Sequence, residues 1–178
     1  DGITSDNPNQ SLWIYSADCI PVLIANNRSG NVSACHVGWR GIRNKITINA
    51  IKKVSNKYNE IKHIYVAMGP SISIENYQVD LSTAHEISSS ISKKNFNEIK
   101  NTSALDKMHD LRIIKSDIEA NKVKLDIRLA LQEQLINLGL LYKQISICPL
   151  CTFENEGLFF SRRRAKDKKV QWSSIVSR

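Results

Sequence analysis

Aromatic side chains are scarce in this sequence, at 7% of its 178 residues, and none is interleaved with its basic runs. That removes the stacking platforms on which single-stranded nucleic-acid binders rely. Long apolar runs are missing too. The longest, residues 20–25 with Pro21 inside it, falls far short of the roughly 20 residues that a membrane-spanning helix needs. A second Cys-x-x-Cys pair is also lacking, so Cys148-Pro149-Leu150-Cys151 is half of a zinc ribbon at best. It runs into Thr152-Phe153-Glu154-Asn155-Glu156-Gly157, a loop-like stretch rather than a helix, which argues against a thioredoxin-type redox role. No signal peptide is visible and the chain is too large to need staples, so the four cysteines are expected as reduced thiols in a cytoplasmic protein. The first residue is Asp1 rather than methionine. Either the start was removed or the sequence begins partway into a longer product.

What is present suits one packed domain over residues 1–178: a 42% hydrophobic fraction with every residue class represented. Lys and Arg exceed Asp and Glu by 25 to 17, and the basic residues gather at Lys93-Lys94 and over positions 162–169. The wider usage of Lys, Asn and Ile is spread along the whole chain. The charge therefore reads as composition, and nucleic acid is not the expected partner.

Residues 11–16 and 21–25 read as strands, the second starting on a proline where a missing amide costs least. A turn over 26–31 returns the chain antiparallel through 32–37. Alternation then places His36 on one face with Ala34 and Val32 and Cys35 on the other, so Cys35 and His36 do not share an ion. Ile42, Ile46, Ala50 and Val54 recur at helical spacing, predicting one helix from 42 to about 58. Further strands are expected at 63–68, 142–148 and 170–176. A helix is expected to start at 80–84 with Asp80 as its cap, and another to run from Leu125 to a stop at Gly139. Between 88 and 124 the pattern is weak and reads as a variable insert. Alternating strands and helices with one antiparallel hairpin favour an α/β fold, a mixed sheet covered by helices.

Chemistry concentrates in Ala34-Cys35-His36-Val37-Gly38-Trp39-Arg40-Gly41, with Ser16-Ala17-Asp18-Cys19 upstream. A lone cysteine commonly packs as a small core residue, and a histidine ending an apolar strand is commonly a satisfied core group. Thiolate with neutral imidazole is nevertheless the pair that zinc selects. Cys19 and His36 converge if they end neighbouring strands of one hairpin. Arg40, between Trp39 and Gly41, can fork onto phosphate or carboxylate, as can Arg163 and Arg164. Asp126 reads either as a support of the site or as a helix-start carboxylate. Of Cys148 and Cys151, the second is placed near the site and the first in packing.

Together these stretches resemble the laccase-domain family, also called multicopper polyphenol oxidase-like or purine nucleoside phosphorylase-like proteins. The likeness is an ordered series: Asp1-Gly2 with Thr4, Ala17-Asp18-Cys19-Ile20-Pro21-Val22-Leu23, His36-Val37-Gly38-Trp39-Arg40-Gly41, Gly69-Pro70-Ser71-Ile72 with Tyr77, Leu125-Asp126 with Gln134-Leu135 and Gly139, Cys151-Thr152, and Phe159-Phe160-Ser161 with Arg163-Arg164. It departs at Arg162, where the family usually has an aromatic, and at Lys168-Lys169-Val170, where a Gly-Arg pair is usual.

The resemblance implies an α/β/β/α sandwich of mixed sheets, with the N-terminal part of the family fold lying before Asp1. It implies zinc, with copper ranked below it, on Cys19, on His36 and on a histidine of that preceding segment. His63, His85 and His109 do not match that position. The implied activity is phosphorolysis of adenosine, inosine, guanosine and methylthioadenosine, with adenosine deamination beside it. Purine nucleoside and phosphate are then the partners, and the oligomeric state is left open. Catalytic roles fall to Cys19, His36 and Arg40, and substrate contacts to Arg40, Ser161, Arg163 and Arg164, with Asp126 and Cys151 as further candidates. The alternatives are a cysteine hydrolase with Cys19 as nucleophile and His36 as base, and an inactive truncated remnant or binding module.

Overall fold

The structure, a computed structural model, describes residues 1–55, 58–91, 103–166 and 168–178. The β-formers of the N-terminal quarter make strands β1 (Gly2–Thr4), β2 (Ser11–Ser16), β3 (Ile20–Asn26) and β4 (Val32–Val37). β3 and β4 form the expected hairpin. Its turn is tied by Asn26, whose Oδ1 accepts from the backbone N–H of Arg28 at 3.0 Å and of Ser29 at 3.2 Å. Gly30 closes it at φ 77°, where a Cβ would lie 2.3 Å from the Arg178 carbonyl oxygen.

β5 (Ile64–Met68) and β9 (Ile145–Ile147) complete a five-stranded sheet of order β1-β4-β3-β5-β9. Only β5 and β9 pair in parallel, so the sheet is mixed. The expected strand over 142–148 shortens to β9 because Tyr142–Gln144 forms a turn of 3-10 helix. Its face toward the helices carries Val22, Ile24, Cys35, Val37 and Met68 of the main core. Its other face packs Val32, Ala34, Leu23 and Ala25 on a two-stranded sheet of β2 and β10 (Gln171–Val176), which contributes Leu12, Ile14 and Ile175. Cys35 and His36 thus point to opposite sides, as alternation requires. The outer face of β2–β10 shows Trp13, Tyr15 and Trp172 to solvent.

The helix read from 42 onward is two. α1 (Trp39–Arg43) and α2 (Ile46–Val54) are separated at Asn44-Lys45, where Lys45 takes φ 55°. The periodicity carries across this break because both helices pack on the same sheet face. α2 ends at Val54, whose carbonyl accepts from the buried Asn26 side-chain amide at 3.0 Å.

The stretch read as a variable insert contributes to the core instead. α3 (Leu81–Ile91) is followed, beyond residues 92–102 that lie outside the described ones with Lys93-Lys94, by α4 (Ala104–Asp110), β7 (Ile114–Ser116) and β8 (Lys122–Leu125). With β6 (Gln78–Asp80) the two strands make an antiparallel sheet of order β6-β8-β7. Met108, Ile113, Ile114 and Val123 are buried in the main core. Asp80 ends β6, and its carboxylate accepts from Lys122 at 2.6 Å. α5 (Ile127–Leu138) runs as expected to Gly139, which caps it at φ 111°.

Candidate functional site

Between β2 and β3 the chain turns through Ala17-Asp18-Cys19, and Asp18 adopts φ 85°, a region non-glycine residues enter only when surroundings over-determine them. Its surroundings do so. One carboxylate oxygen accepts from the Thr152 hydroxyl at 2.7 Å, the other from the Arg163 backbone N–H at 2.7 Å, and its carbonyl accepts from the Ile72 N–H at 3.0 Å. Three remote segments are thereby drawn around the start of β3.

Cys19 follows directly. Ile20 pairs with Val37 and Pro21 with His36, so continuing the register by one residue sets Cys19 opposite Gly38 and diagonal to His36 on one face. The approach is close enough that a Cβ on Gly38 would sit 2.7 Å from the Cys19 sulfur, which makes glycine a steric requirement there. Desolvation, with the Asp18 carboxylate second, pushes the Cys19 thiol up to about 11. His36 is half-buried, with its ring 6.2 Å from that of Tyr15 and its backbone N–H donating to the Asp1 carbonyl at 2.8 Å. Burial holds its imidazole below the ordinary value. Both shifts favour the uncharged forms of the thiol and the imidazole.

The cations differ in what they already hold. Arg40 lies exposed on α1 with its guanidinium 4.4 Å from the centre of the Trp39 ring, and it forms no ion pair among the described residues. Arg43 reaches the same ring and is paired with Glu86. Arg163 opens α6 (Arg162–Ala165) with Arg162; it lies 5.2 Å over the Tyr77 ring and donates from both terminal nitrogens to the Gln78 carbonyl at 3.3 Å. A groove of about 590 Å³ runs past it between Gln78, Phe153 and Lys124. Arg164 is committed to the fold: it donates to the carbonyls of Thr152, Phe153 and Phe159 at 2.7–2.8 Å.

Ser161 caps α6 by accepting from the Arg164 N–H at 3.2 Å and is buried. Asp126 is the N-cap of α5, accepting from the N–H groups of Arg128 and Leu129 at 2.9 and 3.0 Å, which is the helix-start role. Cys151 is buried in a parallel bridge with Ser71, its sulfur accepting from the Ser73 N–H at 3.2 Å. So the structure sets Cys19 and His36 at one hairpin end, brings Arg40 and Arg163 within charge range of Tyr77, and gives Ser161, Arg164, Asp126 and Cys151 bonds that hold the surrounding loops. Sequence reasoning assigned no role to Asp18, Thr152 or Tyr77, whose importance comes from contacts across the chain and leaves no local signal.

A profile of the family described as multi-copper polyphenol oxidoreductase laccase matches residues 1–177. A purine nucleoside phosphorylase of Synechocystis is 43% identical over 179 residues, covering 99% of this chain and 67% of that protein. Purine nucleoside phosphorylase YlmD of Bacillus subtilis is 29% identical, over 99% of this chain and 58% of its own length. Among solved structures, YlmD from Geobacillus stearothermophilus superposes with a TM-score of 0.82 at 24% identity, covering all of this chain and 61% of that one. The chain spans between just over half and two thirds of the length of these relatives. By profile and by relatives alike, this chain belongs to the multi-copper polyphenol oxidoreductase laccase family.

Proposed function

We propose that this chain is a zinc-dependent purine nucleoside phosphorylase working in the cytoplasm, on adenosine, inosine, guanosine or methylthioadenosine. The observation that carries the reading is the placement of Cys19 and His36 on one face of a hairpin end, with Arg40, free of ion pairs among the described residues, in the helix that follows. The names of the relatives from Synechocystis and Bacillus subtilis support it. All four cysteines are free thiols, and no helix among the described residues is long and apolar enough to cross a membrane.

The donor set suits zinc. One thiol and one imidazole, both uncharged without metal, are borderline-soft ligands that Cys19 and His36 would present together. Among the described residues no third His, Cys, Asp or Glu completes a metal-holding group, so these two are part of the ligand set. The thiolate and neutral imidazole that Cys19 and His36 would present are a donor pair that zinc takes readily, which puts zinc ahead of copper in this reading. When bound, zinc supplies a Lewis acid and a water of lowered pKa, the chemistry that adenosine deamination at the same site would draw on.

The remaining residues do the binding. Arg40, braced on Trp39, forks onto phosphate, and Arg163, over the Tyr77 ring, supplies a second positive charge. Arg164 and Asp18 keep the 152–163 loop at the correct distance. A cysteine-hydrolase reading draws no support from a metal-free thiol that ionises at about 11, because the thiolate is the nucleophile.

Purified protein given each nucleoside should release purine and pentose 1-phosphate in equal amounts, only when phosphate is present. Arg40→Ala should raise the KM for phosphate by about tenfold or more, the scale of a lost charge-assisted hydrogen bond. Purine release that leaves phosphate unconsumed would rule phosphorolysis out. No turnover of any nucleoside at full zinc occupancy would leave a binding module or inactive remnant in its place.

A further inference from the structure

Tyr77 stands where the charges of the site meet. It follows the turn Ile74–Asn76, its carbonyl accepts from the Leu125 N–H at 2.9 Å, and its half-buried ring packs on the main core. Arg163 covers the ring at 5.2 Å. Cys19, Asp18, Arg163 and Arg40 are all near enough for their charges to bear on its phenol. Among the described residues the phenol is bonded to no protein acceptor, whereas the Asp18 carboxylate accepts two hydrogen bonds and Arg163 donates to the Gln78 carbonyl. A ring fixed by packing, with an accessible hydroxyl that no protein group engages, can donate to a ligand.

Resting on the phosphorolysis reading, we infer that Tyr77 is a catalytic residue whose hydroxyl donates a hydrogen bond to the departing purine. In the reaction a phosphate oxygen bonds to C1′ of the pentose while the C1′–N9 bond breaks, and its electron pair moves onto the purine ring. The negative charge spreads to N7 and the other ring nitrogens. Tyr77 keeps its proton throughout; the purine anion takes one from water after the bond has broken. A hydrogen bond that strengthens as the charge develops lowers the barrier without tightening the ground state. Arg40 and Arg163 are suited to phosphate, and the Asp18 carboxylate is filled by two donors, which leaves Tyr77 for the base. Burial pushes its phenol up to about 12, so the donor proton is present across the neutral range.

The test is Tyr77→Phe in the full chain, which keeps the ring under Arg163 and removes only the hydroxyl. Zinc content, thermal midpoint and KM for phosphate should match wild type. With inosine, kcat should fall about 100-fold, the scale of one lost donor to a developing anion. With 7-methylguanosine, whose base departs uncharged, the fall should stay below about threefold, since the donor then faces little developing charge. Equal losses with both nucleosides, or no loss with inosine, would overturn the role of Tyr77 while leaving phosphorolysis intact. Wild-type protein that cleaves neither nucleoside with phosphate would instead overturn the function on which the inference rests.

Discussion

Asp18 sets more of the site's geometry than the residues that would touch substrate. Its carboxylate accepts two hydrogen bonds of 2.7 Å, from partners 134 and 145 residues away, and no periodicity in the sequence announces such contacts. The placement of Cys19 and His36 at one hairpin end was legible because strand alternation and hairpin register are local rules, whereas a metal role for them came only from the family resemblance. Asp18→Ala removes the acceptor of both bonds, so urea unfolding should show a loss of about 2 kcal/mol, the scale of hydrogen bonds to a charged group. A variant as stable as wild type would remove Asp18 from this role.

The Cys19 thiol is expected to resist iodoacetamide near pH 7 in metal-free protein. Its ionisation is pushed up to about 11, so the thiolate is scarce at neutrality and the alkylation rate should climb with pH toward that value. Rapid neutral alkylation of Cys19, read by peptide mapping, would revive the nucleophile reading. Arg164→Ala should lower the thermal midpoint because three carbonyls lose their donor, whereas Arg40→Ala should leave it unchanged.

At the scale of elements, what sequence could see was long and regular. α5 shows its core positions at helical spacing between an acidic cap and a terminating glycine, and both ends fall where those residues put them. β6, β7 and β8 are three or four residues each, too short to establish a period of two against neighbouring polar residues. That is why a stretch that completes the core reads as an insert. Ile113 is fully buried, and Ile113→Ala should cost about 2–5 kcal/mol, as for a packed aliphatic side chain. Asp126→Ala removes a helix cap and should cost only about 1 kcal/mol. Comparable small losses for both in denaturant titrations would return the 103–125 region to a peripheral role.

For the molecule as a whole, layering explains where the site lies. A helical layer, the five-stranded sheet and the β2–β10 pair hold the hairpin from both sides, so its open end at Cys19, His36 and Gly38 is fixed while the 71–77, 151–153 and 161–164 segments fold over it. The formal charge of +8 favours anionic substrates in general, and Arg40, which forms no ion pair among the described residues, is the group proposed to hold phosphate. The central claim is that Cys19 and His36 carry the metal on which phosphorolysis depends. Zinc per chain and phosphate-dependent purine release, measured side by side on wild type, Cys19→Ala and His36→Ala, test it most directly. The expected result is zinc in wild type and a loss of both zinc and at least about 100-fold of activity in each variant; full activity in either variant, or activity in zinc-free wild type, would contradict it.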